Sequence, residues 1–193
     1  MKTILVAFTA FLFSGIAKAQ SIYISKDAQV SFFSSAPIEN IEANTNQAVS
    51  AINMNTGSVF FKVPIKSFQF ERDLMQEHFN SDYLESDKYP YAEFQGKIEP
   101  IPSIAKDGTY PVNVAGQLTI HGVTKPYQGP GTIEVKNGQI IAISSFKVKL
   151  ADHDIKIPRL LLKNIAEVVD VKVNAAYQPQ KEAGDARSSK SSS

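Results

Sequence analysis

Apolar side chains at every second position, rather than every third or fourth, restrict this chain to β-sheet. A period of two turns one face of a strand toward a core and the other toward water. Val112, Val114, Leu118 and Ile120 share a parity in "VNVAGQLTI", as do Val169, Val171, Val173, Ala175 and Tyr177 in "VVDVKVNAAY". Ala28, Val30 and Phe32 repeat the pattern earlier. In "VFFKVPIKSFQF", Phe61, Val63 and Ile65 are in phase, whereas Phe68 and Phe70 fall on the opposite parity. That slip predicts a bulge or bend, and Pro64 beside it supports a ladder defect. "QIIAISSFKVKL" is apolar on both parities at its start, which predicts a strand covered on both faces.

Turn chemistry divides these runs. Asn137-Gly138 lies between "TIEV" and "QIIAI", and a type I′ hairpin turn needs the positive φ that both residues tolerate. Asp107-Gly108 before "TYPVNV" reads the same way, and His121-Gly122 reverses the chain toward Lys125–Tyr127. Strands joined by tight turns make an antiparallel meander, here of seven to nine strands. About eight strands close into a barrel without free edges, with room for one small ligand. The fold class expected is therefore mostly β: a single antiparallel β-barrel with one short helical insertion.

The ends read differently. Lys2, the apolar run Ile4 to Phe13 and the small-x-small Ala17-Lys18-Ala19 have the order of a secretory signal peptide over residues 1–19. The barrel domain is then expected over 20–178, in a periplasmic or secreted protein with no membrane-spanning segment after cleavage. "KEAGDARSSKSSS" shows no apolar periodicity, so 179–193 reads as a disordered tail. Without Lys2 and Lys18 the chain has 18 basic against 19 acidic side chains, no electrostatic case for a nucleic-acid partner. Cysteine is absent, which excludes disulfides, thiolate nucleophiles and thiolate metal sites. Monomer and homodimer both remain open.

The polar insertion "RDLMQEHFNSDYLESDKYPYAEF" stands apart from the strands. Leu74, Met75, His78 and Phe79 have helical spacing, and Glu71 and Asp73 suit a first helical turn. A short helix capping one barrel end accounts for it, as does a lid in which Arg72 meets a polar head group. His78, His121 and His153 are the only histidines, and none forms an HxH or HExxH pair. Asp152-His153-Asp154 reads as a solvated loop. No G-x-S-x-G elbow is present. Neither a catalytic residue, a metal ligand nor a cofactor is assigned. Leu160, Leu161 and Leu162 follow Pro158 outside any alternation, and must pack on the barrel rim or line the mouth of a cavity.

Two stretches together carry a resemblance. "RDLMQEHFNSDYLESDKYPYAEFQGKI" and, more specifically, "GTYPVNVAGQLTIHGVTKPY" resemble the corresponding segments of the YceI-like family, and the closing "VVDVKVNAAY" agrees. The resemblance spans roughly residues 28 to 177. It implies an extended lipocalin-like barrel that holds a polyisoprenoid or isoprenoid-quinone chain, and no enzymatic activity. The expected lining residues are Val30, Phe32, Phe61, Val63, Phe94, Val114, Leu118, Ile120, Phe146, Val148, Val171 and Val173. Arg72 is the first expected polar contact and His78 the second. The rival expectation is a barrel filled by its own side chains, serving as a structural or stress-related interaction module.

Overall fold

The computed structural model describes residues 21–158 and 163–180. The expected signal peptide, Leu160–Leu162 and the tail beyond Gln180 lie outside these residues. Strands β1 (Ile22–Ser35), β2 (Asn40–Asn53) and β3 (Ser58–Pro64) come first. A two-residue β4 (Gln69–Phe70) and helix α1 (Asp73–His78) follow. Then come β5 (Tyr91–Glu99), β6 (Gly108–Ile120), β7 (Val123–Lys136), β8 (Gln139–Lys149) and β9 (Val168–Pro179). All pairings are antiparallel, in the order β1-β9-β8-β7-β6-β5-β3-β2, and β1 pairs back onto β2 to close an eight-stranded barrel. β4 adds a short patch to β2 at Ala43 and Asn44.

Local chemistry sets the turns. Asn137 and Gly138 have φ of 51° and 76°, and His121 and Gly122 have 51° and 75°, so both hairpins turn with the handedness that twisted strands require. Gly122 has a second reason to be glycine, because a Cβ there would stand 2.5 Å from the Tyr89 ring. Asn53 Oδ1 accepts the backbone N–H groups of Asn55 and Thr56 at 2.9 and 3.2 Å, folding the β2–β3 turn. Asp107-Gly108 is not a tight hairpin: an eight-residue link, 100–107, joins β5 to β6, and Gly108 already belongs to the strand. Asp107 instead accepts the Asn137 N–H on both carboxylate oxygens at 3.0 Å, steadying the neighbouring turn.

Three more expectations are narrowed or corrected. The slip after Pro64 is a bend rather than a bulge: the strand ends, and Ile65–Ser67 forms a tight 3₁₀ turn that restarts the parity at Phe68. The opening of β8 is covered on one face only, since Ile140 is buried while Ile143 is 40% exposed. In Asp152-His153-Asp154, expected as a solvated loop, the two aspartates are exposed but the histidine is not. His153 is fully buried at the end of the turn Leu150–His153.

The two barrel ends differ. At the end carrying the Asn137-Gly138 turn, Tyr177, Ile52, Ile133 and Ile140 interlock with almost no exposure. At the opposite end, α1 and the wide π-helical turn Phe79–Tyr83 that continues it lie across the opening. Phe79 packs there against Phe32, Phe68 and Phe70 with ring centroids 5.6, 5.7 and 4.9 Å away. The helix stripe is rotated from the expected one: Phe79 packs inward and Met75 is half-buried, whereas Leu74 is 62% exposed.

Candidate functional site

Between these ends the barrel is hollow. A chamber of about 220 Å³ runs along its axis, larger than the roughly 150 Å³ apolar cavity that suffices to hold benzene. Its wall draws on all eight barrel strands, from Val30 and Phe32 on β1 through Phe61 and Val63 on β3 to Val171 and Val173 on β9. The remaining expected residues, Phe94, Val114, Leu118, Ile120, Phe146 and Val148, line it as well. Strict parity explains the agreement, since each of these residues sits on the inward phase of its strand.

Arg72 and His78 are placed elsewhere. Arg72 pairs with Glu39 on the outer rim, and its side chain is 58% exposed. His78 Nδ1 lies 2.6 Å from Asp82 Oδ2 one turn along the helix. Hydrogen bonds from His78 and Ser81 hold the Asp82 carboxyl below the usual carboxylate range. The reason is rotational: the helix turns Phe79 inward, which points His78 and Arg72 to solvent. Neither belongs to the chamber wall.

Four inward-phase glycines, two of them on the chamber wall, escaped the sequence reading. Gly96, Gly116, Gly129 and Gly131 occupy inward positions on the adjacent strands β5, β6 and β7. Gly96 and Gly116 face each other, and a Cβ on either would meet a neighbouring carbonyl oxygen at 2.4 or 2.3 Å and the Phe94 ring at 2.7 Å. The tip of the Phe94 ring therefore reaches over the two glycines. Around Gly129 the space is open: the nearest atom to a Cβ there is Phe146 Cβ, at 3.8 Å. Glycine on the core parity of a strand was the available signal, because an inward glycine either admits a close neighbour or leaves a void. Gly116→Ala should cost about 1–3 kcal/mol, the range for overpacking a tight site. Urea unfolding of the variant measures it, and an unchanged midpoint would count against the Phe94 contact.

The polar groups around the chamber are tied off. Tyr177 donates its hydroxyl proton to Ser50 Oγ at 2.6 Å, and Ser50 donates onward to the Phe60 carbonyl at 2.8 Å. At the other end His153 Nδ1 donates to the Val123 carbonyl at 2.9 Å, which leaves Nε2 to accept from the Tyr127 hydroxyl at 3.3 Å. Burial pushes the Tyr127 phenol above its ordinary pKa. His121 joins three loops, facing Glu85 Oε2 at 2.7 Å and the His153 carbonyl at 3.2 Å, with Tyr89 edge-on. Among the described residues no group of three or more His, Cys, Asp or Glu is arranged to hold a metal ion.

A closed antiparallel barrel whose inward faces leave an apolar void is the architecture of a lipocalin-like barrel. The chain belongs to the YceI-like family: the model of the YceI-like domain matches residues 24–177. Its fold is shared by a polyisoprenoid binding domain from Saccharophagus degradans implicated in plant cell wall breakdown. The two are 15% identical with a TM-score of 0.72, over 84% of this chain and all of that one. BcnA of Burkholderia cenocepacia is 18% identical with a TM-score of 0.67, over 78% of this chain and 96% of its own. The YceI protein of Campylobacter jejuni is also 18% identical, with a TM-score of 0.55 over 94% of this chain and 100% of its own. No curated protein sequence matches this one.

Proposed function

We propose that this protein is an exported lipid carrier that holds a polyisoprenoid or isoprenoid-quinone-type chain in its barrel. The apolar chamber carries the reading. All eight strands present hydrocarbon to one shared void, and the tyrosines on its wall have their hydroxyls engaged with protein partners. The family and the polyisoprenoid-binding barrel that shares the fold support it. Export rests on the charged start, apolar run and Ala17-Lys18-Ala19 of the sequence.

The energetics favour a long chain. Each buried methylene returns about 0.8 kcal/mol. Association costs at least about 4 kcal/mol in lost freedom, so roughly the first five methylenes only offset that cost. Affinity comes from those that follow. The alternative of a barrel filled by its own side chains describes the Tyr177 end well and stops at the chamber.

Organic extraction of the protein purified from its native host, followed by mass spectrometry, should release an isoprenoid or other long-chain lipid near one per chain. Its intact mass should correspond to a start at Gln20. Repeated recovery of lipid-free protein that also ignores added quinones and prenyl alcohols would overturn the carrier reading.

A further inference from the structure

Both ends of the barrel are obstructed by side chains, which raises the question of how a chain gets in. One end is the solid cluster around Tyr177 and Ile140, and the other is sealed by Phe79 among three phenylalanines. That seal is fastened from several sides: Arg72 to Glu39, His121 to Glu85, and the Ile65 N–H to the Pro90 carbonyl at 2.9 Å. At about 220 Å³ the chamber is also smaller than the roughly 300–1,000 Å³ of typical ligand pockets. A long chain therefore needs a wall that yields.

The side wall has one such place. β7 and β8 are paired from Lys136–Gln139 to Gly131–Ser144, and there the ladder stops. Val123–Pro130 of β7 continue paired to β6 alone, and Ser145–Lys149 of β8 to β9 alone. Pro126 and Pro130, which bring no N–H to a ladder, fall within the unpaired stretch. Elsewhere the breaks are filled. Where the β2–β3 ladder ends, β4 pairs with β2 and Thr45 Oγ1 meets Ser67 Oγ at 2.7 Å. Where β1–β9 pairing is interrupted, Ser25 and Ala28 are buried.

The β7–β8 seam is bridged by side chains instead. Ser144 Oγ donates to the Pro130 carbonyl at 2.8 Å above it, and the Tyr127–His153 hydrogen bond closes it below. The Tyr127 and Phe146 rings meet edge to face between them, 6.0 Å apart. The chamber wall here includes Gln128 and Thr132 of β7 and Ile143 of β8, residues on the outward phase, so the void reaches into the wall itself.

We infer that the seam between β7 and β8, with Gly129 and Phe146 on its two sides, is a side door through which an apolar chain is threaded into the barrel. Parting it breaks side-chain contacts and two side-chain hydrogen bonds but no strand ladder. Hydrocarbon then meets Gly129, where no side chain blocks it. The inference rests on the carrier reading, and its test separates the two.

A Cβ on Gly129 would stand 3.8 Å from Phe146 Cβ, inside the roughly 3.5–4.5 Å that a disulfide spans. Gly129→Cys with Phe146→Cys, in a chain otherwise free of cysteine, gives a staple that reductant removes. Retinol, an isoprenoid alcohol that fluoresces in apolar surroundings, serves as the probe. Uptake and release should slow at least tenfold in the oxidised protein and recover on reduction. Equal rates in the two forms overturn the side door and leave carriage standing. Failure of the parent protein to bind retinol or any prenyl alcohol removes both. Hydrogen exchange of the parent protein supplies an independent reading. Amides of 123–130 and 145–149 should exchange faster than those of 131–136 and 139–144, and uniform protection overturns the inference.

Discussion

Gly129→Phe should lower affinity for an apolar chain at least about a hundredfold, equivalent to about 2.7 kcal/mol, in a barrel that still folds. The position faces the chamber, has no φ in the left-handed region, and offers a new Cβ nothing closer than 3.8 Å. A phenylalanine ring there grows into the void that the ligand is proposed to fill. The strand itself loses nothing by the change, because glycine inside a strand costs entropy and phenylalanine suits a pleated surface. Fluorescence titration with retinol reads the binding, and thermal melting reads the fold. Should binding survive with the melting temperature unchanged, the guest does not lie against β7. Gly129→Val is the milder companion if the ring proves too large, with the same direction of effect.

This variant matters because the interior glycines are not alike. Gly96 and Gly116 are glycine since backbone and the Phe94 ring press on them; Gly129 is glycine beside open space. The first pair shapes the wall, and the other leaves room. Both kinds sit on the inward parity, a signal the sequence holds without showing what each glycine meets.

The same division runs through the rest of the reading. Val114, Leu118, Val171 and Val173 could be placed on the chamber wall before any coordinates, because parity in a strand is a local property that tertiary structure rarely overrides. Barrel closure was legible from strand number and turn spacing. The helix was legible as a helix over Leu74 to Phe79, but not in its rotation, since a helix this short shows its buried stripe only once its docking partners Phe32, Phe68 and Phe70 are known. That rotation sets Arg72 and His78 on the rim rather than on the chamber wall. His153 was misread because a D-H-D run looks solvated, although the Val123 carbonyl and Tyr127 hydroxyl satisfy both ring nitrogens in a buried site. Pro126 and Pro130 did carry information: proline sits in a sheet where a ladder is incomplete. They mark the β7–β8 seam.

The buried Tyr177 phenol at the floor of the chamber should by itself withdraw about 3 kcal/mol of stability between pH 10 and pH 12. Burial pushes the Tyr177 pKa from 10 up to about 12. Below pH 10 the folded and unfolded chains both hold this proton, and its contribution is complete. As pH rises past 10 the unfolded chain gives it up while the fold retains it, so the unfolded state gains. Two pKa units correspond to about 3 kcal/mol, fully lost once pH passes 12. Tyr177→Phe removes the titration, and so should flatten this part of the curve. At neutral pH the replacement should cost only about 1 kcal/mol, because Ser50 keeps its bond to the Phe60 carbonyl. Urea unfolding at half-unit steps above pH 9 follows both proteins. Parallel curves would mean that water reaches the phenol. In that case the chamber's floor is not dry, and the apolar surroundings on which a hydrocarbon guest depends do not extend to Tyr177.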